Sequence, residues 1–136
     1  MSGMEFKKSD NIAAIIPATC QKFTIPGRLP GYNELKDGHW AVRQKKKQGA
    51  MDIVTLCAKA ARINSLKGQC YIRIVCYEPN QRRDEDNVKS GACKVILDAL
   101  QQAGILAGDG RKYISKTETE IQLDRQNPRV DVEIVG

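Results

Sequence analysis

At 136 residues the chain is expected to form one domain, long enough to bury roughly two-thirds of the surface its unfolded form exposes. Its 22 Lys and Arg against 16 Asp and Glu leave a formal net charge of +6, which suits an anionic partner without identifying one. One His and five Cys with no Cys-x-x-Cys pair exclude a Cys/His zinc module, and two Phe, four Tyr and one Trp argue against base stacking on an aromatic platform.

In chain order, residues 1–19 read as an extension. Its apolar run Ile12–Ile16 ends at Pro17 and is too short to span a bilayer, and Asp10 between the lysines and the run spoils a signal peptide. Together with unpaired cysteines among apolar neighbours, which read as small core hydrophobes, this suggests a soluble protein of the reducing cytoplasm. Residues 20–136 form the expected single folded domain. CQKFTIP over Cys20–Pro26 has a strand's composition, and a loop follows from Gly27 to Gly38. From Trp40 to Asn64 the pattern is helical, with Ala50, Ile53, Val54, Cys57 and Ala61 on one buried face and Gly49 weakening the middle. The Trp40 ring is expected to pack, and His39 to be structural or exposed.

CYIRIVCY over Cys70–Tyr77 reads as a strand and Glu78–Arg83 as a polar loop. A second helix should start between Asp86 and Gly91, burying Val88, Ala92, Val95, Ile96, Ala99 and Ala103, with Gly104 as its C-terminal cap. A loop with Gly108, Asp109 and Gly110 leads to strands at about Lys112–Leu123 and Val130–Val135. The expected fold is α+β: about four strands in a mixed sheet packed with two main helices.

The feature carrying chemistry is RRDEDN at residues 82–87. In extended backbone, side chains at i and i+2 point the same way, so Asp84 and Asp86 would face one point, with Asp109 to be brought back by its loop or by a partner subunit. Converging carboxylates repel by about 4 kcal/mol per pair at 4 Å and an effective dielectric near 20, so a cation would have to sit among them. Oxygen donors without imidazole or thiolate point to Mg²⁺, or Mn²⁺, able to polarise a phosphodiester and activate water. The plainer alternative is a set of solvated, salt-bridged carboxylates, with Asp86 or Asn87 as the helix N-cap.

RRDEDN, then KVILDAL, then AGIL and an Asp, resembles the RusA family of Holliday junction resolvases, common in phages and prophages. Asp84, Asp86 and Asn87 fit its Asp-x-Asp-Asn. Lys94 stands four before Asp98-Ala99-Leu100, and Asp109 follows Asp98 by eleven. FTIPGRLPGYNE, with Pro30 and Asn33, is similar to the family's opening strand and loop, so the likeness covers roughly residues 22–135. The chain departs from the pattern in two places. Lys94 lies eight residues after Asp86, where the family's lysine lies four after its second Asp; Lys89 is nearer, and a bulge or loop at Ser90-Gly91 would reconcile the two. Gly108 also stands where the family often has an acid beside Asp109.

The resemblance implies a homodimeric, metal-dependent endodeoxyribonuclease that binds four-way DNA junctions and nicks two opposed strands. Asp84, Asp86 and Asp109 would hold Mg²⁺, and Lys94 (or Lys89) would stabilise charge at the scissile phosphate. Arg43, Lys45, Lys46 and Lys47, with Arg28, Asn33, Arg82, Arg83 and Asn87, form the expected DNA-contacting set, reading charge rather than sequence. The alternative is a non-catalytic junction- or nucleic-acid-binding dimer. A phosphatase built on Asp84-x-Asp86 fits poorly, because a polar segment separates the pair from its strand.

Overall fold

The computed structural model describes residues 19–136, so the 1–18 portion of the expected extension, with its Ile12–Ile16 run, lies outside the described residues. Four strands, β1 (Cys20–Pro26), β2 (Cys70–Glu78), β3 (Ile114–Leu123) and β4 (Arg129–Val135), form one sheet in the order β1-β4-β2-β3. β4 runs antiparallel to both β1 and β2, whereas β3 runs parallel to β2. Parallel neighbours need a long crossover. The helix α3 (Glu85–Gln102) supplies it, between β2 and β3. The longer helix α2 (Trp40–Ala60) precedes β2, and a five-residue helix, α1 (Tyr32–Lys36), sits inside the stretch expected to be a loop. The fold is α+β, a four-stranded mixed sheet with three helices.

Strand alternation decides the layers. Phe23, Ile25, Ile72, Ile74, Val130, Val132 and Ile134 are buried and join one core with Val54 and Ala58 of α2 and Val88, Val95, Ile96 and Leu100 of α3. The other sheet face carries polar side chains in cross-strand rows, such as Lys22, Glu133, Arg73 and Glu118 across β1, β4, β2 and β3. Ion pairs of Lys22 with Glu133 (3.3 Å) and of Arg73 with Glu120 tie these rows together. Cys70 and Cys76 are core residues, and burial pushes the Cys76 thiol up to about 12, while Cys20 is exposed. Among the described residues no helix is long and apolar enough to cross a membrane.

Several boundaries differ from the sequence reading. α2 ends at Ala60 rather than Asn64 and runs through Gly49 unbroken. Its buried residues are Ala50, Met51, Val54 and Ala58, while Ile53 and Trp40 are 50% and 64% exposed. The expectation that Trp40 packs therefore fails: it is the first helical residue, before α2 reaches the core. His39 is the N-cap of α2, its Nδ1 accepting from the Ala41 amide at 3.2 Å.

The second main helix starts at Glu85, ahead of the expected window, because Asp84 takes the capping position instead of Asp86 or Asn87. It is continuous across Ser90-Gly91, so no bulge shortens the spacing from Asp86 to Lys94. Gly91 has a packing reason instead. A Cβ there would lie 2.3 Å from the Pro30 carbonyl oxygen, a backbone atom that cannot swing aside, so α3 and the β1–α1 loop meet at bare backbone. At the far end Gly104 takes φ +77, and the amides of Ile105 and Leu106 fold back onto the Leu100 carbonyl, the usual glycine termination of a helix.

Gly91→Ala is therefore expected to destabilise the domain by about 1–3 kcal/mol, the range for overpacking, although alanine favours helices. Urea denaturation would measure it; an unchanged or higher midpoint would show that the loop yields.

Candidate active site

Asp84 sits at φ −61, ψ 133, and its Oδ2 accepts from the Asn87 amide at 3.2 Å. Asp86 is two residues inside the helix, where the N-terminal dipole favours a negative charge. A helix turns about 100° per residue, so the two carboxylates diverge, and the extended-backbone geometry expected from the spacing does not apply. They line different concavities. Asp84 borders one of about 480 Å³ with Glu78, Asn80, Arg83 and Leu123. Asp86 borders one of about 560 Å³ that follows α3 and is lined by Tyr32, Lys89, Ser90, Cys93, Lys94, Leu97, Asp98, Asp109 and Thr119.

This second concavity is a trough. From Asp86 to Asp98 along an unbroken helix is about 18 Å. Its two ends are rooted at opposite ends of β2: Asp84 and Asp86 follow Glu78, the last residue of β2, whereas Asp109 precedes Ile114, which pairs with Cys70, the first. Sequence reasoning asked whether the loop folds Asp109 back; it enters the same trough as Asp86 but forms no three-carboxylate cluster with Asp84 and Asp86. Among the described residues no group of three or more His, Cys, Asp or Glu stands close enough together to hold a metal ion.

Charges along the trough are unequally satisfied. Lys94 reaches Asp98 at 3.3 Å, and Asp98 also holds Lys47 of α2 at 2.6 Å. Lys89 lies 3.9 Å from Glu85, a loose pair, and is only three residues from Asp86. Asp86 and Asp109, by contrast, have no ion pair or side-chain hydrogen bond among the described residues. Such acceptor-only oxygens fit a hard cation of the Mg²⁺ type, which commonly takes one or two carboxylates and completes its shell with water and phosphate oxygens.

The expected DNA-contacting residues divide by what already holds them. Glu78, 4% exposed, accepts from Arg28 at 2.8 Å and from Arg83 at 2.9 and 3.0 Å; Arg83 also reaches Glu34 at 3.2 Å and the Leu29 carbonyl at 2.9 Å. Asn87 accepts the Asn33 amide at 2.7 Å and so fixes the start of α1 against α3. Arg43 is half-buried, its Nε without a partner among the described residues. Lys47 is held by Asp98, and the Lys46 ammonium lies 3.5 Å from the Glu34 carbonyl. Lys45 and Arg82 are exposed and free of ion pairs among the described residues.

Sequence reasoning passed over Arg111 and Lys112, two exposed cations beside Asp109, and Asp98 as a trough residue. The Asp-Gly-Arg-Lys run and the i, i+4 spacing of Lys94 and Asp98 were the available signals. No protein-family model matches this chain, and no curated protein sequence matches it.

Two expectations follow. Burial opposes ionisation of Glu78, but the hydrogen bonds and charges of Arg83 and Arg28 outweigh it and hold its carboxyl below the ordinary value of 4.5. A depressed folded-state value means stability that is present above the unfolded value and lost as pH falls through the folded one. Glu78→Gln should therefore be less stable than wild type at neutral pH, and the gap should shrink in urea titrations as pH drops below 4.5. A pH-independent gap would sink the assignment. Separately, Asp84→Ala should lose about 1 kcal/mol of capping energy, whereas Asp86→Asn should change stability by less than about 0.5 kcal/mol. Equal losses would contradict the different roles of the two carboxylates.

Proposed function

We propose that this chain is a metal-dependent endodeoxyribonuclease acting on branched DNA, with four-way junctions as substrate and a homodimer as the working unit. The carrying observation is the trough beside α3, where Asp86 and Asp109, two carboxylates without an ion pair among the described residues, line the same concavity as Lys89 and Lys94. Its length of about 18 Å equals roughly five base-pair steps measured along the axis of B-form DNA, at 3.4 Å each. Arg82, just ahead of Asp84 in the chain, and Arg111 and Lys112, just after Asp109, are exposed cations suited to neighbouring phosphates.

Asp86 and Asp109 would hold Mg²⁺ or Mn²⁺, and Asp84 would set the start of α3 that presents Asp86. When bound, such an ion polarises the phosphodiester and lowers the pKa of a coordinated water. Lys89, near Asp86 and only loosely paired, would offset charge on the attacked phosphate; Lys94 is restrained by Asp98, which makes Lys89 the better candidate. Because α3 keeps the two ends of the trough apart, a site using both carboxylates is more readily completed across a two-fold axis. A four-way junction has an approximate axis of that kind.

A second reading, a junction-binding dimer without turnover, is supported by Asp84, whose carboxylate accepts from the Asn87 amide as a helix cap. One experiment separates them. A labelled four-way junction and a matched linear duplex are incubated with protein in Mg²⁺ or EDTA, alongside Asp86→Asn, Lys89→Ala and Lys94→Ala. The nuclease reading expects Mg²⁺-dependent nicks in opposed strands and a loss of at least about 100-fold for Asp86→Asn with junction binding retained. It also expects a larger loss for Lys89→Ala than for Lys94→Ala. Binding without nicking would establish the second reading; equal cutting by Asp86→Asn would end the first.

A further inference from the structure

α2 packs Ala50, Met51, Val54 and Ala58 on the core, yet its opposite side also carries apolar residues. Val42 is 55% exposed, Ile53 50% and Leu56 69%. Val42, Gly49 and Leu56 fall seven residues apart, and a straight helix drifts only about 20° over such a step, so they form one line down the outward face. Two flanking lines share the repeat: Lys46, Ile53 and Ala60 on one side, Lys45, Asp52 and Lys59 on the other. An apolar seam with charged flanks on a seven-residue repeat is the pattern of a helix that docks another helix.

The spacing also specifies which helix. Val42 and Leu56 lie equally far to either side of Gly49, so an antiparallel copy related by a two-fold at Gly49 places each Val42 on the other chain's Leu56. On the flank, Asp52, the sole acid of α2, comes within one residue of the height of the other copy's Lys45, and the pairing occurs twice. On the opposite flank Ile53 meets the alkyl stem of the other copy's Lys46. Gly49 itself has no heavy atom within 4 Å of where a Cβ would stand. An exposed glycine in mid-helix costs about 1 kcal/mol relative to alanine, but bare backbone on the axis lets two helices approach closely.

We infer that the outward face of α2 is the docking surface for a second copy of this chain, paired antiparallel about Gly49. The seam is one helix wide, so the contact expected is a modest one, to be sought at micromolar concentrations. This inference rests on the homodimer of the proposed function and names its surface; a chain that pairs through α2 without cutting DNA would leave it intact. It also withdraws Lys45 from the residues open to phosphate.

Sedimentation velocity of the full chain, without DNA, across micromolar concentrations tests it. Wild type should pass from monomer to dimer. Leu56→Glu, a change at an exposed position, should weaken association by more than about tenfold while circular dichroism and melting stay unchanged. Lys45→Asp should weaken it too, and Lys45→Asp with Asp52→Lys should restore it, which a general loss of structure would not do. A chain that stays monomeric, a dimer indifferent to Leu56→Glu, or a double variant that fails to recover would each overturn the inference.

Discussion

The arrangement of the trough depends on Glu78. It is the buried charged residue at the end of β2, and its two arginines come from separate segments: Arg28 from the β1–α1 loop and Arg83 from the turn into α3. Removing a carboxylate from water is unfavourable, and the guanidinium hydrogen bonds offset that cost only while both segments stay in place. The pairing therefore works as a geometric clamp. It fixes the residue immediately before Asp84, and Asp84 fixes the first turn of α3 by capping it. Asn87 and Gly91 then seat that helix against Asn33 and Pro30. The position of Asp86 in the trough is the last link in this chain of contacts.

The clamp explains why the fold was easier to read than the site. Strands β2 and β4 announce themselves through alternating apolar residues, and Val88, Val95, Ile96 and Ala99 have a helix's spacing, because burial on one face imposes a period on the sequence. Capping imposes none. Asp84, Asp86 and Asn87 are all good N-cap residue types, and one residue of difference in the helix start reverses whether Asp84 and Asp86 converge or diverge. The short α1 was invisible for a related reason: it buries no residue and is held by contacts distant in sequence, from Asn87. Ile53 misled because periodicity identifies faces of a helix without saying which face meets the core.

The basic run at Arg43–Lys47 shows the same limit with charge. Four cations in five residues look like one patch, but a helix distributes neighbours around its circumference. Arg43 and Lys47, four apart, turn toward the body of the domain, where Lys47 bridges to Asp98. Lys45 and Lys46 turn outward to opposite sides of the apolar seam. Net charge thus describes the overall balance better than it describes where on the surface an anion would sit. Cations next in the chain to a carboxylate without an ion pair among the described residues, such as Arg111 and Lys112 after Asp109, are more informative than the denser run.

Ion pairing distinguishes the trough from the open face of the sheet. On the open sheet face Lys22, Arg73, Arg129, Glu120, Asp124 and Glu133 neutralise one another in rows, leaving little field for a charged ligand. Along α3 the pattern breaks: Asp98 holds two lysines, while Asp86 and Asp109 have no ion pair among the described residues. A carboxylate left open to solvent costs the fold little, so folding stability does not require these two to be aspartates at all. What an unpaired carboxylate gains is a free lone-pair set, able to take a divalent ion without first breaking a protein contact. Lys94 would leave Asp98 and Lys89 would leave Glu85, each an i, i+4 pair worth about 0.3–0.5 kcal/mol, and the pair at 3.9 Å is looser than the pair at 3.3 Å. The looser pair lies at the Asp86 end, near the first turn of α3, where the helix dipole also favours an anion.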